Sequence, residues 1–226
     1  MAGIALPDYR EAVKQPRSVM LLRALAKKDE ASFSELKKET GINDAVLYHH
    51  LNRLIRFGVI KSEVKGSYRL VYRTPFCYIF GDTEREKVSY FGLLGRRAAH
   101  EEAETQVALR ALKDEGIEPE LVYVLTSFDA LKDWEEDRLP YQWILCYEDE
   151  IVDVDSVKEK VRRQLESCMM QGMVVIDCTS ATKPATIAYY ELAQEYMAPL
   201  IYVYEDGRSI KWLISKDTLK RKLGIG

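Results

Sequence analysis

Long apolar runs are missing from this 226-residue chain. None reaches the ~18 residues that a membrane-spanning helix needs. The first few apolar residues meet Pro7 and Asp8, so no secretory leader is visible. Cysteine is sparse: Cys77, Cys146, Cys168 and Cys178 form no C-x-x-C pair. That spacing argues against a zinc site and a disulfide framework, and for a reduced, cytoplasmic protein. Three of the four sit in apolar segments, where free cysteine behaves as a small hydrophobe. Catalytic signatures are missing too, with no H-E-x-x-H, no G-x-S-x-G and no P-loop. Gly95 lacks the further glycines of a dinucleotide fingerprint, which disfavours NAD. No cofactor or metal is expected. Glu101-Glu102-Ala103-Glu104 and Glu135-Glu136-Asp137 read as solvated acidic faces.

Charge is unevenly distributed. Residues 1–75 hold 14 Lys and Arg against 8 Asp and Glu, a surplus of six cations. Residues 76–226 hold 19 against 28, a surplus of nine anions. A basic small part joined to an acidic larger part points to nucleic acid as a partner of the first alone.

Periodicity divides the chain at the same place. The pattern predicts helices over 7–15, 17–28, 32–40 and 43–57. Ser32 with Glu35 has capping-box spacing, Gly41 makes a turn, Asn43 caps the last helix and Gly58 ends it. Short strands at 59–61 and 68–73 flank a turn at Lys65-Gly66-Ser67. That order is a winged helix-turn-helix. Leu47, Leu51 and Leu54 form the buried stripe of its last helix. Asp44, Ala45, Tyr48, His49, Asn52 and Arg53 are then expected to face double-stranded DNA, with Lys61, Lys65, Arg69 and Arg73 on the hairpin meeting phosphates. His49 and His50 point about 100° apart on a helix and do not share a metal; His50 is expected to pack inward. Residues 43–60 resemble the recognition helix of ArsR- and MarR-like archaeal and bacterial regulators.

Residues 74–87 show no period and read as a connector. From 88 onward strands alternate with helices. Strands are expected at 88–94, 120–126, 141–147 and 173–179, with helices over 98–115, 128–137, 155–170 and from about 186. A hairpin at 200–205 and 209–215 turns at Asp206-Gly207, and a basic helix covers 216–223. The implied fold is α/β: a small winged helix-turn-helix domain (1–75), then a Rossmann-like, mostly parallel sheet with an antiparallel edge hairpin (76–226). In such sheets ligands sit beyond the carboxyl ends of strands, near a switch in strand order. Gly95-Arg96-Arg97 and Thr179-Ser180-Ala181-Thr182-Lys183 end two of these strands and lead into helices, an arrangement that favours an anion. The competing reading pairs Arg96 and Arg97 with Glu101, Glu102 or Glu104.

Asp177-Cys178-Thr179-Ser180-Ala181-Thr182-Lys183 resembles the D-x-T-G-G-T-K signature of CARF domains, CRISPR-associated Rossmann-like sensors of cyclic oligoadenylates. Ser180 and Ala181 stand where that signature has glycines. Residues 91–97 are weakly similar to the first strand-to-helix turn of the same family. The resemblance implies a transcription regulator sensing a cyclic oligoadenylate and pairing as a homodimer. It places the ligand on Gly95, Arg96, Arg97, Thr179, Ser180, Thr182 and Lys183. It also leaves open a metal-independent ring nuclease that cleaves the ligand, or a regulator sensing another small anion.

Overall fold

The computed structural model describes residues 6–63, 66–81, 86–97, 101–204 and 209–225. The first part forms as its caps dictate. Helix α1 (Tyr9–Val13) is capped by Asp8, and α2 (Pro16–Ala26) starts on a proline. A two-residue strand β1 (Ala31–Ser32) leads into α3 (Phe33–Thr40). Ser32 and Glu35 close a capping box there. Gly41, at φ 67°, turns the chain in the left-handed region where a glycine carries no side-chain clash. Asn43 then accepts from the Val46 amide at 3.1 Å and starts α4 (Asp44–Arg56). Strands β2 (Ile60–Ser62) and β3 (Ser67–Leu70) pair antiparallel, and β1 joins the other side of β3. The helix-turn-helix order is thus the expected one, with β1 as an addition.

The segment read as a connector contains a short helix, α5 (Phe76–Phe80), almost wholly buried. Its apolar residues are nearly continuous, so no single face shows as a period, and it packs on α2. Next comes the sheet. Strand β4 (Val88–Leu94) is buried along its whole length. It is followed by α6 (Glu104–Asp114), β5 (Leu121–Ser127), α7 (Phe128–Asp133), a single 3-10 turn and β6 (Gln142–Cys146). Then come α8 (Val154–Gln171), β7 (Met173–Asp177), α9 (Lys183–Glu195), β8 (Leu200–Val203), β9 (Ile210–Ile214) and α10 (Lys216–Leu223). The expected turn at Asp206-Gly207 lies outside the described residues.

The six strands run in the order β6-β5-β4-β7-β8-β9. All neighbours are parallel except β8 and β9. The chain moves outward from β4 through β5 to β6, then returns to the other side of β4 as β7. Right-handed crossovers in opposite directions place helices on opposite faces and leave a crevice beyond the ends of β4 and β7. Among the described residues, nearly all buried apolar side chains join one cluster from Tyr9 to Leu223. Among the described residues no helix is long and apolar enough to cross a membrane.

Candidate functional sites

Two surfaces carry the candidate residues. On α4 the apolar stripe is buried as its spacing requires, and Asp44, Ala45, Tyr48, His49 and Asn52 face outward. Tyr48 is 60% exposed, a large unburied aromatic on the outer face of this helix. His50 points inward, with its Nδ1 3.0 Å from the Ser18 hydroxyl. Burial and the nearby cations, including Arg17, hold its imidazole below the usual value.

Several expected DNA-facing cations are occupied instead. Arg53 lies half-buried and donates to the Glu11 carbonyl at 2.9 Å, with its guanidinium over the Phe57 ring. It anchors α1 to α4 and does not face outward. Arg73 is buried, 2.6 Å from Glu86, and also donates to the Lys28 carbonyl at 2.8 Å. Lys61 and Arg69 converge on Glu63, and Asp44 pairs with Lys37 at 2.7 Å. Lys65 lies outside the described residues. Sequence reasoning missed Arg17 and Arg56, both exposed and, among the described residues, without a carboxylate partner. Arg56 follows Ala45, His49 and Asn52 at helical spacing, a signal that was there to be read.

The second surface is the crevice at the ends of β4 and β7. It opens into a cavity of about 360 Å³ bordered by Gly95, Arg96, Thr179, Ser180 and Thr182. Arg97 and Lys183 do not border it. The two loops are locked together. The Gly95 amide donates to the Ser180 hydroxyl at 3.1 Å, and the Gly95 carbonyl accepts from the Trp134 indole at 3.0 Å. A side-chain carbon at Gly95 would sit 3.3 Å from the Ala181 backbone.

The hydroxyls expected to meet a ligand hold this loop in place. Thr179 donates to buried Asp177 and accepts from the Val203 amide at 2.9 Å. Thr182 donates to the Ile151 carbonyl at 2.8 Å and caps α9 by accepting from Ala185. Pro184 has no amide hydrogen and the Ala185 amide is capped, so the start of α9 offers an anion fewer donors than its position implied. Arg96 pairs with Asp133 at 2.7 Å, and Arg97 pairs with Asp137 at 2.7 Å while stacking over Trp134. Their carboxylate partners are thus not Glu101, Glu102 or Glu104, although Arg97 also donates to the Glu101 backbone carbonyl at 3.5 Å, and Asp137 is not merely a solvated acid. Glu102 is paired as well, with Arg110 at 2.8 Å. Lys183 is exposed on the first turn of α9. Glu104 and Glu148 also border the cavity. Beneath the loop, burial pushes the Asp177 carboxyl up to about 6, against hydrogen bonds from Thr179 and Tyr90 that pull it down.

Residues 15–62 match the arsR family of bacterial regulatory proteins. The ArsR-type segment runs from the cap of α2 to the end of β2, so it holds the whole helix-turn-helix and the first wing strand. No curated protein matches the chain in sequence. Among solved structures, protein VC1899 from Vibrio cholerae is similar with a TM-score of 0.44 and 11% identity, over 57% of this chain and 34% of that one. Can2 from Sulfobacillus thermosulfidooxidans, in complex with cyclic tetra-adenylate, gives a TM-score of 0.41 and 16% identity over 56% and 34%. Enterococcus italicus Csm6, bound to cyclic hexa-2′-fluoro-hexa-dAMP, gives 0.42 and 13% over 62% and 39%. The chain spans between 34% and 39% of the length of these three proteins.

Proposed function

We propose that this chain is a ligand-responsive transcription regulator. Residues 1–75 bind duplex DNA through the ArsR-type segment, and residues 76–226 sense a cyclic oligoadenylate at the crevice beyond β4 and β7. One observation carries the reading. The D-x-T-x-x-T-K loop, residues 177–183, lies at the switch point of the strand order, in the same chain as a helix-turn-helix. In this reading Asp177 and Thr179 shape the loop, while Arg96 and Lys183 supply charge. Arg96 is 63% exposed, and an exposed ion pair is worth only about 0–1 kcal/mol. A ligand phosphate can therefore take the guanidinium from Asp133 at little cost. Glu104 and Glu148 oppose phosphate and would favour the amino edges of bases. Two copies paired about a two-fold axis present two recognition helices to a palindromic site, about 34 Å apart.

Calorimetry of the full chain against a panel of cyclic oligoadenylates tests the ligand. At least one ring should bind, and Arg96→Ala and Lys183→Ala should each weaken it about ten- to a hundredfold. If no ring binds, the sensor reading fails. A gel shift on mixed-sequence duplex tests DNA binding separately, and light scattering tests pairing.

A further inference from the structure

Positive charge without a carboxylate partner among the described residues also lies away from the wing. Arg10 is exposed on α1, and α10 packs against that helix. Arg221 is exposed on α10, and Lys222 is half-buried beside it. The Lys222 amine donates to the neutral side chain of Gln194. Burial and the neighbouring Arg10 guanidinium both hold that amine below its usual value. Two like charges are thus brought together, neither of them in an ion pair among the described residues.

Residues 76–226 carry nine more anions than cations, and about half of the cations described there meet a carboxylate. Arg96, Arg97, Arg110, Lys113, Lys158 and Lys160 each meet a carboxylate. Arg221 and Lys222, among the described residues, do not. The cluster also continues toward the recognition helix. Arg53 on α4 is bonded to the Glu11 carbonyl, next to Arg10. Arg17 lies near enough to α4 to act on His50. Exposed Arg17 on α2, Arg10 on α1 and Arg221 on α10 therefore spread cations beside α4, with half-buried Arg53 joining α1 to it. A partner with regularly spaced negative charge matches such a spread better than a compact anion does. Duplex DNA carries one charge per ~1.7 Å of axis.

We infer that α10, although it belongs to the acidic part of the chain, joins α1 in a second contact with the phosphate backbone, flanking the site read by α4. The inference rests on the DNA-binding reading. It makes the cationic surface a joint product of both parts, so a shift of the sheet-bearing part against α1 would alter DNA affinity directly.

The test measures fluorescence anisotropy of the full chain with mixed-sequence duplexes of about one and about three helical turns, at several salt concentrations. Wild type should bind the longer duplex with the steeper salt dependence. Arg10→Gln/Arg221→Gln, both at exposed positions, should reduce the slope on the longer duplex by about one to two and weaken binding roughly tenfold at low salt. Lys222→Gln should act in the same direction. Lys113→Gln/Lys132→Gln changes net charge equally on other helices and should have no such effect. An unchanged slope in the first variant, or an equal loss in the control, overturns the α1–α10 contact while leaving DNA binding by α4 intact. Failure of wild type to bind any duplex overturns both.

Discussion

Arg53 and Arg56 sit one helical turn apart and do different work. Arg53 ties α4 to the Glu11 carbonyl and covers Phe57, with its Nε buried and without a hydrogen-bond partner among the described residues. Arg53→Ala removes a charge-assisted bond and a cation–π contact, so stability should fall by about 1–3 kcal/mol. Arg56 is exposed; Arg56→Ala should leave the melting temperature unchanged and weaken DNA binding. Thermal melts with anisotropy on the same duplex check both, and the reverse pattern would exchange their roles. Asp177 offers a test by pH. Its folded value, about 6, lies above the ordinary 3.8. The folded state therefore holds the proton more tightly. The stabilisation is complete below about pH 4 and is lost as pH rises through about 6, a span on the order of 3 kcal/mol. Asp177→Asn keeps the side chain's size and removes the titration. Denaturant midpoints compared across pH 4–7 should show a flatter profile for the variant, and parallel profiles would refute the assignment.

The loop between β7 and α9 shows what a sequence can and cannot tell. Its place, its N-cap Thr182 and the strand before it follow from local patterns, as do the capping box at Ser32 and the cap at Asn43. Its hydroxyl partners do not. Thr182 reaches Ile151, and Arg97 reaches Asp137, 40 residues along the chain. Such pairings depend on which strands the topology brings side by side. Helix α5 and the two-residue β1 were illegible for a related reason: neither is long enough to show a period, and both exist through tertiary contacts. Ala181 carries a further trace in its backbone, which adopts φ 71° at a position where the resembling signature has glycine. An L-residue there costs about 1–2 kcal/mol, partly offset by the greater freedom glycine has when unfolded. Ala181→Gly should therefore raise stability by up to about 1 kcal/mol. A fall in the denaturant midpoint would mean that the alanine methyl packs usefully against the Gly95 loop.

At the scale of the whole molecule, the two parts share a boundary built from specific bonds. Arg73 donates its backbone amide to the Met169 carbonyl at 2.6 Å, and Tyr72 meets Tyr196 edge-on at 5.8 Å. Buried Thr74 is the central link. Its hydroxyl donates to the Gly172 carbonyl at 3.0 Å and accepts from the Val174 amide at 3.1 Å. Strand β8 pairs with β7 only from Ile176 onward, so this hydroxyl serves the start of β7 that β8 does not reach. With one apolar cluster spanning both parts, unfolding should be a single cooperative transition. The three tryptophans, Trp134, Trp143 and Trp212, all lie in the sheet-bearing part, so fluorescence reports that part alone. Far-UV circular dichroism also reports the helices α1–α4. The two melts should coincide. Thr74→Val keeps the shape but strands a buried amide and a buried carbonyl, at a cost on the order of 3 kcal/mol. Both melts should then move down together. A fluorescence melt that shifts while part of the dichroism signal stays in place would mean that the helix-turn-helix holds itself together, and that the contacts at Thr74 couple nothing.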